Sequence, residues 1–260
     1  MPDVSVRNAE LSERVKREKE SYDTGLRRGR YNDVLSHTDR LYLDKRFRLA
    51  GELVRARSPE TVLELGCKTW PQFLGRNGIV PRELTCINIS QAELDEGKAM
   101  VGPGSLRPRF LVMDAHALEF PDRHFDLVFG SGILHHLDLD LALAEIRRVL
   151  KPDGLMLFSE PLDNNPVGRL VRRLTPHART ADERPLRHAE LARIARDFDC
   201  TFHFEQLVTV PVGLVSRFLL ENPVNPLTKA AFALDELVRV RLPFLGPYFR
   251  HVLIAGRPKP

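Results

Sequence analysis

Residues 61–70 read TVLELGCKTW, an apolar run that leads into a loop with an acidic residue and a glycine at its start. The run Thr61 to Leu65 is typical of a buried strand. A loop of this shape, at the carboxyl end of a first parallel strand, is where α/β proteins hold nucleoside cofactors. The stretch therefore predicts the first strand of a parallel sheet, followed by a cofactor loop.

Further apolar runs follow at the spacing of strands that alternate with helices. The predicted later strands are Leu84 to Ile89, Phe110 to Met113, Phe125 to Phe129, Leu155 to Ser159, Thr201 to Leu207 and a last one within residues 248–256. Helices are predicted at about 138–150 and 188–198, and Ser90 and Glu93 stand at capping-box positions for another. This order predicts an α/β fold with a doubly wound, mainly parallel sheet.

Three segments carry a family resemblance: LTCINIS at 84–90, FLVMDAHALEFPDRHFDLVFGSGILHHL at 110–137 and EIRRVLKPDGLMLFSEPL at 145–162. With the first loop, they make about two thirds of the chain resemble the class I S-adenosylmethionine-dependent methyltransferases of the small-molecule, natural-product type. The resemblance implies a Rossmann-like sheet of seven strands. It also implies S-adenosyl-L-methionine as cofactor and methyl transfer to a small molecule.

The remaining chain divides into a helical start and two insertions. Residues 1–57 are predicted to form helices that pack on a core domain of residues 58–260. Helical insertions are expected after the fifth and sixth strands, at about 160–187 and 211–246. The first is rich in Pro and Arg, and the second is apolar.

Composition limits the partners and the compartment. The 260 residues carry 39 Lys and Arg against 35 Asp and Glu, a mixed surface rather than a basic tail, so no nucleic-acid partner is expected. The first twenty residues have charges where a secretory signal needs an apolar core. Together with three cysteines that form no C-x-x-C motif, this predicts a cytoplasmic protein.

The first loop departs from the family pattern acidic-x-Gly-x-Gly-x-Gly, which falls here on Glu64, Gly66, Lys68 and Trp70. Gly66 lets the chain turn against a nucleoside, and Glu64 is expected to orient loop amides and attract the cofactor's ammonium group. Two interpretations of Lys68 compete: its ammonium pairs with the methionyl carboxylate, or it repels the sulfonium. A third is that the loop bulges, so that Lys68 and Trp70 point away from the site.

Asn88 stands at the end of the second strand, where the family usually has a carboxylate that accepts both ribose hydroxyls. A carboxamide can bond the same diol without charge assistance, which predicts weaker cofactor binding. The alternative is an ordinary turn residue. Ile89 beside it is predicted to pack on the adenine face, or else to belong to the core.

Four residues at the next two strand ends complete the predicted cofactor site. The resemblance assigns Asp114 and the Ala115 amide to the adenine, and the Gly130 and Ser131 backbone to the methionyl moiety. The alternative for Asp114 is a strand-ending cap.

His135 and His136 directly follow the fourth strand, at the mouth of the predicted pocket. A histidine there can take a proton from a substrate hydroxyl, which oxygen methylation requires. We predict that one of the pair is catalytic, and that Glu160 at the end of the fifth strand orients it. The alternative is that both histidines are structural and that Glu160 anchors the insertion.

Two further interpretations of charged residues are weaker. His135, His136, Asp138 and Asp140 have the residue types of metal ligands, but Asp138 more simply caps a helix, so no metal is predicted. An arginine cluster in the first insertion suggests a phosphate or carboxylate on the acceptor, or else a solvated helix face. Its members are Arg169, Arg172, Arg173, Arg179, Arg184 and Arg187.

The second insertion offers a surface for an apolar acceptor, with Leu214, Phe218, Leu219, Phe232 and Leu237 as its members. Ordinary packing is the favoured interpretation, and peripheral membrane contact is less favoured. The sequence thus predicts a methyltransferase acting on a small acceptor, apolar or anionic, most simply at oxygen. The alternatives are a cyclase-type enzyme on the same fold, with weak or structural cofactor binding, and a non-catalytic binding protein.

Overall fold

The computed structural model describes residues 13–20, 23, 29–103, 106–174 and 184–260, with the backbone alone at 29–34. The strands are β1 Thr61–Leu65, β2 Glu83–Asn88, β3 Arg109–Val112, β4 Phe125–Ser131, β5 Leu150–Pro161, β6 Phe198–Glu205 and β7 His251–Pro258. The helices are α1 at 13–20, α2 Gly29–Arg55, α3 Trp70–Phe73, α4 Gln91–Ala99, α5 Leu139–Val149, α6 Pro166–Leu174, α7 His188–Asp197, α8 Thr209–Leu219 and α9 Pro226–Arg241.

The seven strands form one sheet in the order β3-β2-β1-β4-β5-β7-β6. Neighbours from β3 to β5 pair in parallel, and β7 runs antiparallel between β5 and β6. This confirms the predicted doubly wound, mainly parallel seven-stranded sheet. Among the described residues, no helix is long and apolar enough to cross a membrane.

Alternate residues of the central strands point to opposite faces, as the two-residue period of a strand requires. In β5, Met156 and Phe158 join a core beneath α5 and α7, whereas Leu155 and Leu157 join a core beneath α2, α3 and α4. Because both faces are covered, the strands read as continuous apolar runs.

The predicted boundaries hold closely in the central sheet and less well at its antiparallel edge. β1 spans the predicted residues, whereas β5 begins at Leu150 rather than Leu155 and β6 at Phe198 rather than Thr201. Residues 151–154, which read KPDG and were expected to lie between helix and strand, belong to β5, where the register with β4 shifts between Phe125 and Leu127. The start of β5 was not predicted, because its residues at the irregularity are polar and a sequence pattern does not reveal a bulge.

The carboxyl ends of the parallel strands meet at one edge of the sheet, where a doubly wound fold binds its ligands. β1 and β4 lie side by side at the centre, and Leu65 pairs with Gly130 near this edge. Ser131 pairs with Ser159 on the other side of β4, which brings Glu160 close to the segment after β4. The topology thereby places the predicted histidine and glutamate segments together.

Candidate active site

A cleft of about 930 Å³, including its open mouth, lies at the carboxyl edge of the sheet. Its size is that of a small-molecule site. It is lined by most of the predicted cofactor-binding residues, namely Gly66, Lys68, Asn88, Ile89, Asp114, Ala115 and Ser131. Glu64 and Gly130 are buried behind this lining.

Glu64 holds the first loop from behind. One carboxylate oxygen accepts the Thr69 N–H at 2.7 Å and the other accepts the Trp70 N–H at 3.2 Å. These two hydrogen bonds support the prediction that Glu64 orients the loop amides. Because the side chain is fully buried, it does not reach the ammonium group of a ligand in the cleft. Burial raises the pKa of Glu64 to about 7.

The shifted pKa of Glu64 predicts how stability depends on pH. The folded protein holds the Glu64 proton more tightly than the unfolded chain does. The stability that this proton contributes is therefore complete below the unfolded pKa near 4.5, and it is lost as the pH rises through about 7. Between pH 5 and pH 8, the parent should therefore lose about 2 to 3 kcal/mol relative to Glu64→Gln. Denaturant unfolding of both proteins at the two pH values measures the difference; parallel pH courses would contradict it.

Gly66 has a φ of +104°, a region that strongly favours glycine. The two residues that break the family pattern in this loop do not fill the cleft. The Lys68 ammonium lies 2.7 Å from carboxylate oxygens of both Glu93 and Glu96. Trp70 is buried at the start of α3 and belongs to the core with α2.

Lys68 is thus neutralised by α4 while still bordering the cleft. Partial burial lowers the pKa of Lys68, but the bonds from Glu93 and Glu96 outweigh it, so its pKa is raised and it stays charged. Of the three interpretations of this loop, the third fits Trp70, which packs in the core, whereas Lys68 lines the cleft with its ammonium held by Glu93 and Glu96.

Asn88 lies at the cleft with part of its hydrogen-bonding capacity in use. Its Oδ1 accepts the Ser90 N–H at 2.9 Å, an Asx turn that leads into α4. Its amide nitrogen lies 3.8 Å from Cys67 Sγ. Asn88 therefore has the contacts of a turn residue, and also borders the cleft beside Ile89.

Asp114 is fixed by a residue that sequence reasoning missed, His116. Asp114 Oδ1 accepts from His116 N at 2.9 Å and lies 2.6 Å from His116 Nδ1. Because His116 Nε2 accepts the Asp138 N–H at 2.8 Å, its proton sits on Nδ1 and is donated to Asp114. Burial raises the pKa of Asp114, but the bonds from His116 outweigh it and hold the pKa below its usual value. An ionised Asp114 thus faces the cleft beside Ala115.

Gly130 contributes through packing, whereas its neighbours border the cleft. A Cβ at Gly130 would lie 2.7 Å from the Leu65 carbonyl oxygen, so a larger residue would push β4 from the first loop. Ser131 and Gly132 line the cleft, and Gly132 has a φ of +64°. Of the two residues that the resemblance assigns to the methionyl moiety, Ser131 therefore lines the cleft and Gly130 is buried behind it.

His135 and Glu160 form the pair that was predicted. His135 Nδ1 lies 2.7 Å from Glu160 Oε2. The other oxygen, Oε1, accepts the N–H groups of Ile133 and Leu134, each at 3.0 Å. Oε1 accepts two backbone N–H groups and Oε2 faces Nδ1, so in the neutral imidazole the proton sits on Nδ1 as the donor to Glu160, and Nε2 is the basic atom of His135.

His136 faces a different carboxylate, on the N-terminal helix α1. Its Nδ1 lies 3.2 Å from Glu18 Oε2, and both side chains are almost fully buried. Glu18, Arg14 and Val15 of α1 line the cleft with His136. The contribution of α1 to the site was not anticipated, because no local pattern links residue 18 to residue 136.

A second cavity of about 1040 Å³ adjoins the cleft and shares Arg14 and Leu137 with it. His135 borders this cavity, whereas His136 borders the cleft. Its basic residues are Arg14, Arg184, Arg187 and Arg193, and its acidic ones are Asp138, Asp140 and Glu190. The Nε of Arg14 is buried and has no hydrogen-bond partner among the described residues.

The residues weighed as metal ligands have other partners. His135 contacts Glu160, Asp138 caps α5 by accepting the Leu141 N–H, and Asp140 pairs with Arg193. Of the arginine cluster, Arg169 and Arg187 pair with Asp163, and Arg184 borders the second cavity. Arg179 lies outside the described residues.

Comparison with known proteins agrees with this architecture. Residues 63–158 match the family model described as a methyltransferase domain. The chain is 34% identical over 106 residues to malonyl-[acyl-carrier protein] O-methyltransferase of Halorhodospira halophila, covering 39% of this chain and 35% of that protein. It is 28% identical over 127 residues to O-methyltransferase cnsE of Penicillium expansum, covering 47% and 46%. The chain thus spans about a third to a half of the length of the curated relatives it matches.

Among solved structures, geranyl diphosphate C-methyltransferase from Streptomyces coelicolor, in complex with Mg²⁺, geranyl diphosphate and S-adenosyl-L-homocysteine, superposes with a TM-score of 0.54. The match covers 80% of this chain and 78% of that one at 15% identity. At this identity the likeness concerns the fold alone.

Proposed function

We propose that this chain, which belongs to the class I S-adenosylmethionine-dependent methyltransferase family, transfers a methyl group to an oxygen atom of a small-molecule acceptor. The observation that carries the proposal is the 2.7 Å contact between His135 and Glu160 beside the cleft. Two curated relatives are named O-methyltransferases, which supports oxygen as the acceptor atom.

The cleft has the chemistry that S-adenosylmethionine requires. Asp114 offers an ionised acceptor for the adenine amino group, and Ile89 offers an apolar surface for the ring. Because Asn88, Ser131 and Gly132 all line the cleft, Asn88 is assigned to the ribose hydroxyls and the backbone of the other two residues to the methionyl end. Glu64 acts indirectly, by holding the Thr69 and Trp70 amides.

Replacing Asn88 by Asp should tighten cofactor binding about fivefold, which corresponds to roughly 1 kcal/mol. The carboxylate keeps the bond from Ser90 N–H and adds a charged acceptor for the ribose. Calorimetric titration with S-adenosylhomocysteine measures the change. The matched control is Asn222→Asp, an exposed Asx turn whose Oδ1 accepts the Val224 N–H. Equal or weaker affinity in Asn88→Asp would mean that Asn88 does not meet the ribose.

The reaction needs a base for the acceptor and little else from the protein. When bound, S-adenosylmethionine supplies a methyl group that its sulfonium makes electrophilic. His135 Nε2 takes the proton of the acceptor hydroxyl as the oxygen attacks, while Glu160 holds Nδ1–H and stabilises the imidazolium. The remaining contribution is positioning of the two reactants in line.

The acceptor is proposed to occupy the second cavity and to carry a carboxylate or phosphate. His135 borders that cavity, and Arg14, whose buried Nε is unpaired among the described residues, stands between it and the cleft. Arg184 and Arg187 border its other side. An arginine fork matches such anions well.

The proposal is tested by mass spectrometry of small molecules that co-purify with the full chain. Each anionic compound found is then incubated with the protein and S-adenosylmethionine that carries a labelled methyl group. We expect S-adenosylhomocysteine and a product with the label on oxygen. Label on carbon or nitrogen would refute oxygen as the acceptor atom.

The alternatives, a cyclase-type enzyme or a non-catalytic binding protein on the same fold, were suggested by the bulky Lys68 and Trp70 at positions where the family has glycine. Lys68 is held by Glu93 and Glu96, and Trp70 is buried in the core, so neither residue argues against a bound cofactor. Methyl transfer therefore remains the proposal that the geometry supports best.

A further inference from the structure

The helices of the second insertion expose large apolar side chains to solvent. Phe218 is 87% exposed, Phe244 is 70% exposed and Leu219 is 67% exposed. These side chains and their neighbours on α9 form what we call the apolar face, defined as Phe218, Leu219, Leu227, Leu234, Leu237 and Phe244. Contiguous exposed apolar surface on a folded chain commonly marks a contact site.

Helix α9 exposes three leucines on the side that does not pack on the protein. Leu227, Leu234 and Leu237 recur at helical spacing on its exposed side, whereas Thr228 and Asp235 are buried on the other side. The inner side is anchored by Asp235, which accepts hydrogen bonds from Tyr42 and Thr209, and by apolar contacts: Ala231 is buried, and the Phe232 ring centroid lies 4.7 Å from that of Tyr42. Packing against the part of the chain that the structure describes therefore does not account for the exposed leucines.

The charges around the apolar face are mainly positive. Lys229 and Arg241 on α9 are exposed and have no carboxylate partner among the described residues. Of the acidic residues on α8, α9 and the segment between them, Asp235 is buried and Glu236 pairs with Lys45 and Arg239. Glu221 is the exposed one.

We propose that the apolar face docks on the surface of a bilayer that contains anionic phospholipids. Aromatic and leucine side chains enter the boundary between headgroups and acyl chains, and nearby cations meet lipid phosphates. A second copy of the chain fits less well, because a two-fold interface through this face would gather Lys229 and Arg241 of both copies around one contact, where like charges repel. The helices are too short or too polar to cross the bilayer, so the contact is peripheral.

The apolar face stands beside the proposed site. β6 is antiparallel to β7, which is antiparallel to β5, so β6 ends at the same edge of the sheet as β5. Helix α8 begins four residues after Glu205, the last residue of β6. Docking would therefore bring that edge towards the lipid, although the inference does not depend on methyl transfer.

The test is sedimentation of the full chain with vesicles of phosphatidylcholine alone or with about one third phosphatidylglycerol. We expect binding to the anionic vesicles that weakens as salt is added. Phe218→Asp should weaken it at least about tenfold, because a buried aromatic side chain is replaced by a charge. Lys229→Glu and Arg241→Glu should each weaken it about fivefold or more.

The matched control is Val80→Asp, at a valine that is 55% exposed on the opposite edge of the sheet, before β2. It should bind anionic vesicles like the parent. Failure of the parent to bind these vesicles, or unchanged binding by Phe218→Asp, would overturn the proposal. So would a dimer in sedimentation velocity that Phe218→Asp dissociates, which would assign the apolar face to a second copy. Cofactor binding, measured separately, distinguishes this failure from failure of the proposed function.

Discussion

Replacing His135 by Ala should lower turnover by about 10²- to 10⁴-fold and leave cofactor affinity unchanged. The reason is geometric: His135 borders the second cavity, and its Nδ1 is held 2.7 Å from Glu160, which leaves Nε2 as the base. The proposed cofactor cleft is lined by other residues. The rate of S-adenosylhomocysteine formation with the identified acceptor measures turnover, and calorimetry measures cofactor affinity.

The variant Glu160→Gln tests whether Glu160 positions the imidazole of His135 or has only a structural role. The Gln oxygen still accepts the Ile133 and Leu134 N–H groups, but its amide N–H now faces His135 Nδ1. This moves the imidazole proton to Nε2 and removes the base, so turnover should fall about as far as in His135→Ala while the fold is retained. The exposed His188, replaced by Ala, is the control. If both variants turn over like the parent, the site acts by proximity alone, and an acceptor that is already nucleophilic becomes the better hypothesis.

Replacing Asp235 by Ala should lower the free energy of unfolding by about 3 to 5 kcal/mol, which for a chain of this size lowers Tm by roughly 10 °C. This carboxylate is fully buried and accepts from the Tyr42 hydroxyl at 2.9 Å, the Thr209 hydroxyl at 2.7 Å and the N–H of Leu207 at 3.0 Å. Burial, with Asp235 close by, raises the pKa of Tyr42, so its hydroxyl stays protonated and donates.

The loss is large because Asp235 joins three parts of the chain: α2, the segment that leads from β6 into α8, and α9. Its removal leaves several buried donors without an acceptor. Denaturant unfolding followed by circular dichroism measures the change, with the exposed Asp199→Ala as control, expected to lie within about 0.5 kcal/mol of the parent. A change of less than about 1 kcal/mol in Asp235→Ala would show that these donors find other partners.

The sequence predicted the sheet well because its strands are buried on both faces and therefore apolar throughout. Val62 and Leu63 belong to opposite cores, yet both appear in the same apolar run. The pairing of His135 with Glu160 was also within reach, since adjacent parallel strands bring their ends together. Strand order and residue type were sufficient there.

The sequence could not predict contacts between side chains that are far apart in the chain or that depend on rotamers. Glu18 of α1 contacts His136, and Asp235 contacts Tyr42, but no local sequence pattern predicts either contact. The motif alone suggested that Lys68 could obstruct the cofactor site, but Glu93 and Glu96 on α4 hold its ammonium group. His116 was missed because a histidine two residues after an aspartate is common and gives no signal.

The central claim is that the cleft binds S-adenosylmethionine despite its altered first loop. Calorimetric titration of the full chain with S-adenosylhomocysteine, the expected product, tests this most directly because it needs no acceptor. The account predicts a single binding event with one ligand per chain, retained in His135→Ala. No detectable heat and no thermal shift at millimolar ligand would contradict the assignment of the cleft, and with it the proposed methyl transfer.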